Sequence, residues 1–332
     1  MENQEYTSST MNISIVIPLL NEQDSLQELH QRIAQVLNGV YTYEVIFIDD
    51  GSTDNSWEII KILQSNFPEV KGIKFRKNYG KSQALNAAFE IAQGDVVITM
   101  DADLQDFPEE IPVLYRGITE GNQDLISGWK QKRKDPVITK NIPSKLFNSV
   151  ARKTSGLPLH DFNCGLKAYK KEVVKSLKLR SDMHRYIPVL AKNAGFTRIS
   201  EQKVQHTARK HGESKFGSSR FVNGFLDLIT LWFVGKFGHR PMHFFGAAGT
   251  LMFIFGFIMT FWIGISKLYM LYNHVPTILI TDNPWFFLAM LCMLFGMQLF
   301  LAGFIGELIV RTNKADNTYK VQETLGFDKD YN

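Results

Sequence analysis

Asp101-Ala102-Asp103-Leu104-Gln105-Asp106 is the stretch on which the reading of this chain turns. It follows the apolar run Val96-Val97-Ile98-Thr99-Met100 and precedes Phe107-Pro108-Glu109-Glu110. A strand therefore ends where two carboxylates emerge one residue apart. Residues i and i+2 of a strand share a face, so Asp101 and Asp103 are expected to point the same way. Hard divalent cations take oxygen ligands, and Mg²⁺ is typically held by one or two carboxylates with substrate phosphates filling other positions. Taken alone, the stretch fits either such a clamp or a solvated Asp-rich turn.

Strand and helix patterns alternate up to it. Ile13 to Leu20 is a β-branched run broken by Pro18, and Asn21 to Ser25 is read as opening a helix with Leu26, Leu29, Ile33 and Leu37 at helical spacing. Tyr43 to Ile48 is a second strand, followed by Asp49-Asp50-Gly51-Ser52-Thr53-Asp54 and a helix with Trp57, Ile60 and Leu63 on one face. Val70 to Phe75 is a third strand, Lys81 to Ala92 a helix, and Asp95 to Met100 the fourth strand. Continuous apolar strands between helices imply a mostly parallel sheet covered on both faces. Ligands of such sheets bind outside the carboxyl ends of the strands. Three polar clusters fall there: Pro18 to Glu22, Asp49 to Asp54, and Asp101 to Asp106. The chain has neither a Gly-x-Gly-x-x-Gly after its first strand nor a Gly-x-x-x-x-Gly-Lys-Ser/Thr, which argues against a dinucleotide site or P-loop. Ser52 or Asp50 is expected to cap the helix after the second strand.

The 332 residues leave room for more than one unit. The averages, 45% hydrophobic and 21% charged, hide a split: the chain is mixed and polar to about Arg220, then apolar and aromatic from Phe221 to Val310. A net charge of +4 is too modest to indicate a nucleic-acid binder. The two cysteines, Cys164 and Cys292, fall in different regions, so no disulfide framework is expected. Met1 to Thr10 lacks the apolar core of a signal peptide and reads as part of a disordered lead-in over residues 1–11.

Four motifs, Val16 to Glu22, Asp49 to Asp54, Arg76-Lys77-Asn78-Tyr79-Gly80-Lys81 and Asp101 to Asp106, occur in an order that resembles the family 2 glycosyltransferases. Over about residues 12–312 the resemblance is closest to the polyprenyl-phosphate (dolichyl-phosphate) hexose synthases. It implies a cytoplasmic GT-A catalytic domain over 12–218, a Rossmann-like, mostly parallel α/β fold for nucleotide-diphospho-sugars. It also implies that Pro18, Leu20, Asn21, Glu22, Asp50, Ser52, Lys81 and Ala102 line the nucleotide-sugar. Asp101, Asp103 and Gln105 would hold Mg²⁺ or Mn²⁺ against its diphosphate.

The basic segment after Gly128-Trp129 has, by the resemblance, the place of the acceptor-phosphate site, with Lys130, Arg133, Lys140 and Ser144 as candidates. Lys130 stands where the family carries Arg, so a bidentate contact would become a point charge. The alternative for each lysine is a solvated face. Asp161, in Asp161-Phe162-Asn163-Cys164-Gly165, resembles the family carboxylate beside the sugar; a turn aspartate is the alternative. Cys164 reads as a small buried residue. His184 to Pro188 opens a helix and lacks the Gln-x-x-Arg-Trp of processive synthases, which argues for one sugar per cycle. His206 to Lys215 resembles a loop whose Arg209 and Lys215 would close over the diphosphate, with Gly212 permitting the bend.

Residues 219–240 read as interfacial amphipathic helices. Residues 241–312 hold two runs long enough to cross a bilayer, at about 243–266 and 285–310, and 313–332 form a tail. Lys236, Arg240, Arg311 and Lys314 flank the outer ends, whereas the connecting loop has only Lys267. The positive-inside rule then places the catalytic domain and both termini in the cytoplasm, with the hairpin in the inner membrane. Gly246, Gly249, Gly256, Gly296, Gly303 and Gly306 suit close helix packing, and homo-oligomers through these helices are compatible with it. The expected activity is inverting transfer of one hexose from a UDP- or GDP-sugar to undecaprenyl or dolichyl phosphate. The product would be a lipid-linked sugar donor for cell-envelope glycan, lipid or protein glycosylation. The rival readings are a transferase acting on a polysaccharide or protein, and a catalytically silent membrane scaffold.

Overall fold

The computed structural model describes residues 11–131, 148–149, 151–153, 155–179, 183–207, 233, 237, 240–312 and 321–326. Two compact units result: residues 1–231 with 316–332, and residues 232–315.

The first unit is built on one sheet. Its strands are β1 (Ile13–Leu19), β2 (Tyr43–Asp49), β3 (Val70–Phe75), β4 (Val96–Thr99), β5 (Leu125–Trp129), β6 (Lys167–Lys170), β7 (Ile199–Lys203) and β8 (Val321–Leu325). The order across the sheet is β7-β5-β6-β4-β1-β2-β3-β8. β1 pairs in parallel with β2 and β4, β2 with β3, and β5 with β7; β6 and β8 run antiparallel to their neighbours. The helices are α1 (Leu26–Leu37), α2 (Ser56–Asn66), α3 (Lys81–Ile91), α4 (Ile111–Thr119), α5 (Lys171–Ser176) and α6 (Ile187–Asn193).

Both sheet faces are covered, as continuous apolar strands require. Ile13, Ile15 and Ile17 pack with Leu26, Leu29 and Trp57 on the α1–α2 face. Val16, Ile46 and Ile73 pack with Ala84, Ala88 and Val173 on the other. Each fully buried Ile or Leu contributes about 1.5–3 kcal/mol relative to exposure. The chain moves from β1 outward through β2 and β3, then crosses to the opposite side of β1 for β4. The crevice between β1 and β4 is therefore the switch point at which open α/β sheets bind ligands.

Three local expectations change. β1 runs through Pro18 to Leu19 instead of ending at the proline. Asn21 to Ser25 form turns, and α1 starts only at Leu26. Asn21 itself adopts φ 55°, a left-handed conformation that Asn tolerates but that cannot continue a helix. Neither Ser52 nor Asp50 caps α2. Asn55 holds the cap position without a side-chain bond, and Asp54 before it accepts the Ser56 amide at 3.0 Å in a local turn.

The second unit contains two long helices, α7 (Pro241–Tyr272) and α8 (Pro284–Thr312). Both are long and apolar enough to cross a membrane, and only 11% and 17% of their most apolar windows is buried. Apolar surface exposed on this scale does not suit a soluble core hairpin. A Cβ on Gly249 would lie 2.5 Å from the Gly296 carbonyl oxygen, and one on Gly256 2.5 Å from that of Ala289. The helices thus touch backbone to backbone, which only small residues permit. Along α8 these contacts fall on Ala289, Gly296 and Gly303, one heptad apart.

Candidate active site

The parallel register brings the ends of β1 and β2 level: Leu19 pairs with Asp49, and the Asp50 amide donates to the Leu19 carbonyl at 2.9 Å. The two loops beyond are stitched together. The Asn21 amide donates to Ser52 Oγ (2.9 Å), the Thr53 amide to Asn21 Oδ1 (2.8 Å), and the Glu22 amide to Ser56 Oγ (3.0 Å). Asn21 and Ser52 therefore shape one cradle at the strand ends, with Leu20 and Glu22 on its rim.

Asp50 reaches the third loop. Its carboxylate accepts the amides of Tyr79 (2.7 Å) and Gly80 (2.9 Å). Burial pushes its pKa up to about 6 despite those two donors. Gly51 makes the approach possible: at φ +78°, a Cβ there would lie 2.5 Å from the Lys77 carbonyl carbon. Gly80 immediately precedes α3, so the loop that Asp50 grips delivers Lys81 as the first helical residue. The Lys81 ammonium pairs with Asp101 Oδ1.

Past β4 the side chains alternate strictly. Asp101, Asp103 and Gln105 are half-buried, whereas Ala102, Leu104 and Asp106 are buried. The strand itself ends at Thr99, and beyond it Asp101, Asp103 and Gln105 are the accessible members of this alternation. Burial alone would raise the Asp101 pKa, but Lys81, Lys130 and Lys167 outweigh it and hold the carboxyl at about 2. Leu104 adopts φ 58°, a conformation that costs a non-glycine residue about 1–3 kcal/mol and persists only where the surroundings impose it.

Asp101, Asp103 and Gln105 present an all-oxygen donor set of two carboxylates and an amide carbonyl, which suits Mg²⁺ or Mn²⁺. Among the described residues no group of three or more His, Cys, Asp or Glu gathers to hold a metal. Two carboxylates match the one or two that a cation shared with substrate phosphates usually takes from protein.

Pro18, Lys81, Asp101, Gly165, Lys167 and His184 line a pocket beside this row. Gly165 packs so closely on the Asp101 carboxylate that a side chain would collide with it. The Lys167 ammonium is buried and donates to the Cys164 carbonyl. Burial pulls its pKa down, as does Lys81. His184 is held at about 3 by burial and then by Lys81 and Arg185, so its imidazole is neutral near pH 7; its Nδ1 lies 3.1 Å from Ser82 Oγ. Burial lifts the Cys164 thiol to about 12, which leaves it inert as a nucleophile.

Asp161 is 2% exposed. Its Oδ1 accepts the Asn163 amide at 3.1 Å, shaping the turn that forms the pocket wall. Lys130 pairs with Asp106 Oδ1 at 2.7 Å. Arg133, Lys140, Ser144, Arg209 and Lys215 lie outside the described residues, as do residues 219–232. Sequence reasoning left Lys167, His184 and Asp106 out of the site. The complementary series Ala102, Leu104 continues to Asp106 and would have marked it as buried. Lys167 and His184 carry no comparable local signal, because only the tertiary fold brings them to Asp101.

A sheet with its switch point between β1 and β4, and an Asp-x-Asp row on its rim, is the GT-A arrangement of nucleotide-sugar transferases. The glycosyl transferase family 2 profile matches residues 14–178. The dodecaprenyl-phosphate galacturonate synthase of Rhizobium johnstonii is 32% identical over 311 residues, covering 93% of this chain and 90% of that protein. The undecaprenyl-phosphate 4-deoxy-4-formamido-L-arabinose transferase of Shewanella sediminis is 34% identical, covering 94% and 92%. The fold is shared with glucosyl-3-phosphoglycerate synthase from Mycobacterium tuberculosis, solved with Mn²⁺, UDP-glucose and glycerol 3-phosphate. The two superpose with a TM-score of 0.53 at 19% identity, over 68% of this chain and 80% of that one. The chain belongs to glycosyltransferase family 2, among its polyprenyl-phosphate sugar transferases, and is an enzyme.

Proposed function

We propose that this membrane-anchored enzyme transfers one hexose, with inversion, from a UDP- or GDP-sugar to a polyprenyl phosphate. The observation that carries the reading is the row Asp101, Asp103 and Gln105 on the rim of the β1–β4 crevice, beside a cationic pocket. The stitched loops around Asn21, Ser52 and Asp50 would seat the nucleoside. Asp103 is the direct cation ligand in this reading, with Asp101 toward the donor and Gln105 in support. A bound Mg²⁺ or Mn²⁺ supplies charge neutralisation for the diphosphate. Lys81 and Lys167 add fixed positive charge where negative charge grows, and Asp161 buttresses the wall against the sugar.

The acceptor phosphate is already anionic near neutral pH, so attack needs no general base. Its oxygen bonds to the anomeric carbon, the bond to the diphosphate breaks, and the electron pair leaves with the nucleoside diphosphate. The chain's residues orient the two partners, which alone can supply several kcal/mol of rate enhancement.

The relatives named above act on polyprenyl phosphates, which supports the acceptor class and an inner-membrane location. Two further features support a cytoplasmic catalytic unit. Positive charge flanks the hairpin's outer ends. And β8, which follows α8 in the chain, is a strand of the catalytic sheet, so an even number of crossings separates them. Purified enzyme with Mn²⁺, undecaprenyl phosphate and UDP- or GDP-sugars should release nucleoside diphosphate and form a glycolipid. Product formation on soluble sugar acceptors, with none on the lipid phosphate, would overturn the acceptor assignment.

A further inference from the structure

Asp106 is an acid with nowhere to discharge but one neighbour. It is 1% exposed, and among the described residues no donor other than the Lys130 ammonium reaches its carboxylate. The Lys130 ammonium, 2.7 Å from Oδ1, is its counter-ion, with the lysine side chain only 11% exposed. Burying both charges is tolerable only because they are paired, and removing one partner leaves the other uncompensated.

The pair joins two separate parts of the site. Lys130 directly follows β5, at the carboxyl end of its strand. Asp106 ends the alternating row and, unlike Asp101, Asp103 and Gln105, is buried. Between Asp103 and Asp106 lies the left-handed Leu104, a conformation the loop keeps only if its far end is fixed. Backbone pairing of Asp106 with His206, and the Thr207 amide on the Gln105 carbonyl at 3.3 Å, secure the main chain. The ion pair secures the side chain and sets the rotation of the row.

We propose that Lys130 is a positioning residue for the cation row, acting through Asp106, rather than a ligand of the acceptor phosphate. The inference rests on the glycosyl-transfer reading above for its substrates. It separates two roles a basic residue here can have. A phosphate ligand controls acceptor affinity. A strut beneath the row controls how well Asp101, Asp103 and Gln105 converge on a cation, as outer partners do at other metal sites. Arginine also fits the strut, because it keeps the charge and reaches a carboxylate.

The full-length protein in nanodiscs tests this with two independent readouts. The first is Mn²⁺ binding in the presence of UDP, and separately GDP, followed by the loss of the free Mn²⁺ paramagnetic resonance signal. The second is the KM for undecaprenyl phosphate. Lys130→Met and Asp106→Asn should each raise the half-saturating Mn²⁺ concentration by about tenfold or more and leave the acceptor KM unchanged. Lys130→Arg should restore wild-type Mn²⁺ binding. A Lys130→Met protein that binds Mn²⁺ normally but has a raised acceptor KM would make Lys130 a phosphate ligand and overturn the proposal. So would an arginine variant as defective in Mn²⁺ binding as the methionine one. Should Lys130→Met not fold, the double variant Lys130→Met/Asp106→Asn, which buries no lone charge, replaces it. Normal Mn²⁺ binding by the double variant would equally overturn the strut. The resonance measurement needs no lipid acceptor, so it still decides the role of Lys130 if the acceptor assignment fails.

Discussion

The ammonium of Lys81, the first residue of α3, closes on the carboxylate of Asp101, the second residue past β4. Through it, the loop gripped by Asp50 and the cation row become one mechanical piece. A charge-assisted bond of this kind contributes about 1.5–3 kcal/mol. Lys81→Met is therefore expected to lower kcat/KM for the nucleotide-sugar by about 10- to 100-fold. Steady-state kinetics at saturating Mn²⁺ checks this, and Lys81→Arg should recover part of the loss.

Gly165→Ala probes the same carboxylate from the other side. Its Cβ has no room beside Asp101, and overpacking of this kind costs about 1–3 kcal/mol. Because Asp101 yields more readily than the strand behind it, the cost should fall on the site. Activity is expected to drop by more than the thermal midpoint would explain, as measured by turnover and scanning fluorimetry on one preparation.

Asp50 gives the fold a pH signature. Burial raises its pKa from 3.8 to about 6, so between those values the folded chain binds a proton that the unfolded chain releases. Its contribution to stability is fully present below the unfolded value and is lost as pH rises through about 6. In Asp50→Asn that slope between pH 4 and 6 should vanish from the thermal midpoint. The variant should also turn over more slowly at neutral pH, because a neutral amide grips Tyr79 and Gly80 less firmly.

Glu323 in β8 accepts from Trp57 Nε1 at 2.9 Å and pairs with Lys61 at 3.4 Å. Glu323→Ala strips the indole N–H of the buried Trp57 of its partner, a loss of about 1–2 kcal/mol. A lower thermal midpoint and a red-shifted Trp57 emission are expected. Trp57→Phe combined with Glu323→Ala should show less than the sum of the single effects.

The first four strands were legible because burial on both faces forces continuous apolar runs. Ile15 and Val16 serve opposite cores, and the polar Ser14 and Glu44 within β1 and β2 are buried by bonding to each other. The row Asp101, Asp103, Gln105 was legible for a related reason, since alternation is a local geometric rule. Lys167 and Asp101 meet only through the antiparallel pairing of β6 with β4, a long-range fact with no periodicity to betray it. The start of α1 was misplaced because Asn21 has the composition of a helix start, while its amide and side-chain oxygen serve the neighbouring loop. α7 runs to Tyr272 because helix geometry outlasts hydrophobicity. At 32 residues it is about 48 Å long, well beyond the apolar stretch that marks it in sequence. The tail strand Val321–Leu325 carries Gln, Glu and Thr among its five residues. Nothing in so short and polar a segment announces that it closes a sheet edge some 250 positions earlier.

That closure has a consequence for biosynthesis. A ribosome delivers β3 long before it delivers β8, and both long apolar helices are made in between. The catalytic sheet is thus finished last at its β3 edge, after the hairpin has left the ribosome. Until then that edge offers unpaired backbone groups to any other strand. A message truncated between the two long helices and codon 321 leaves this flank of the sheet open, a ready template for pairing with another chain.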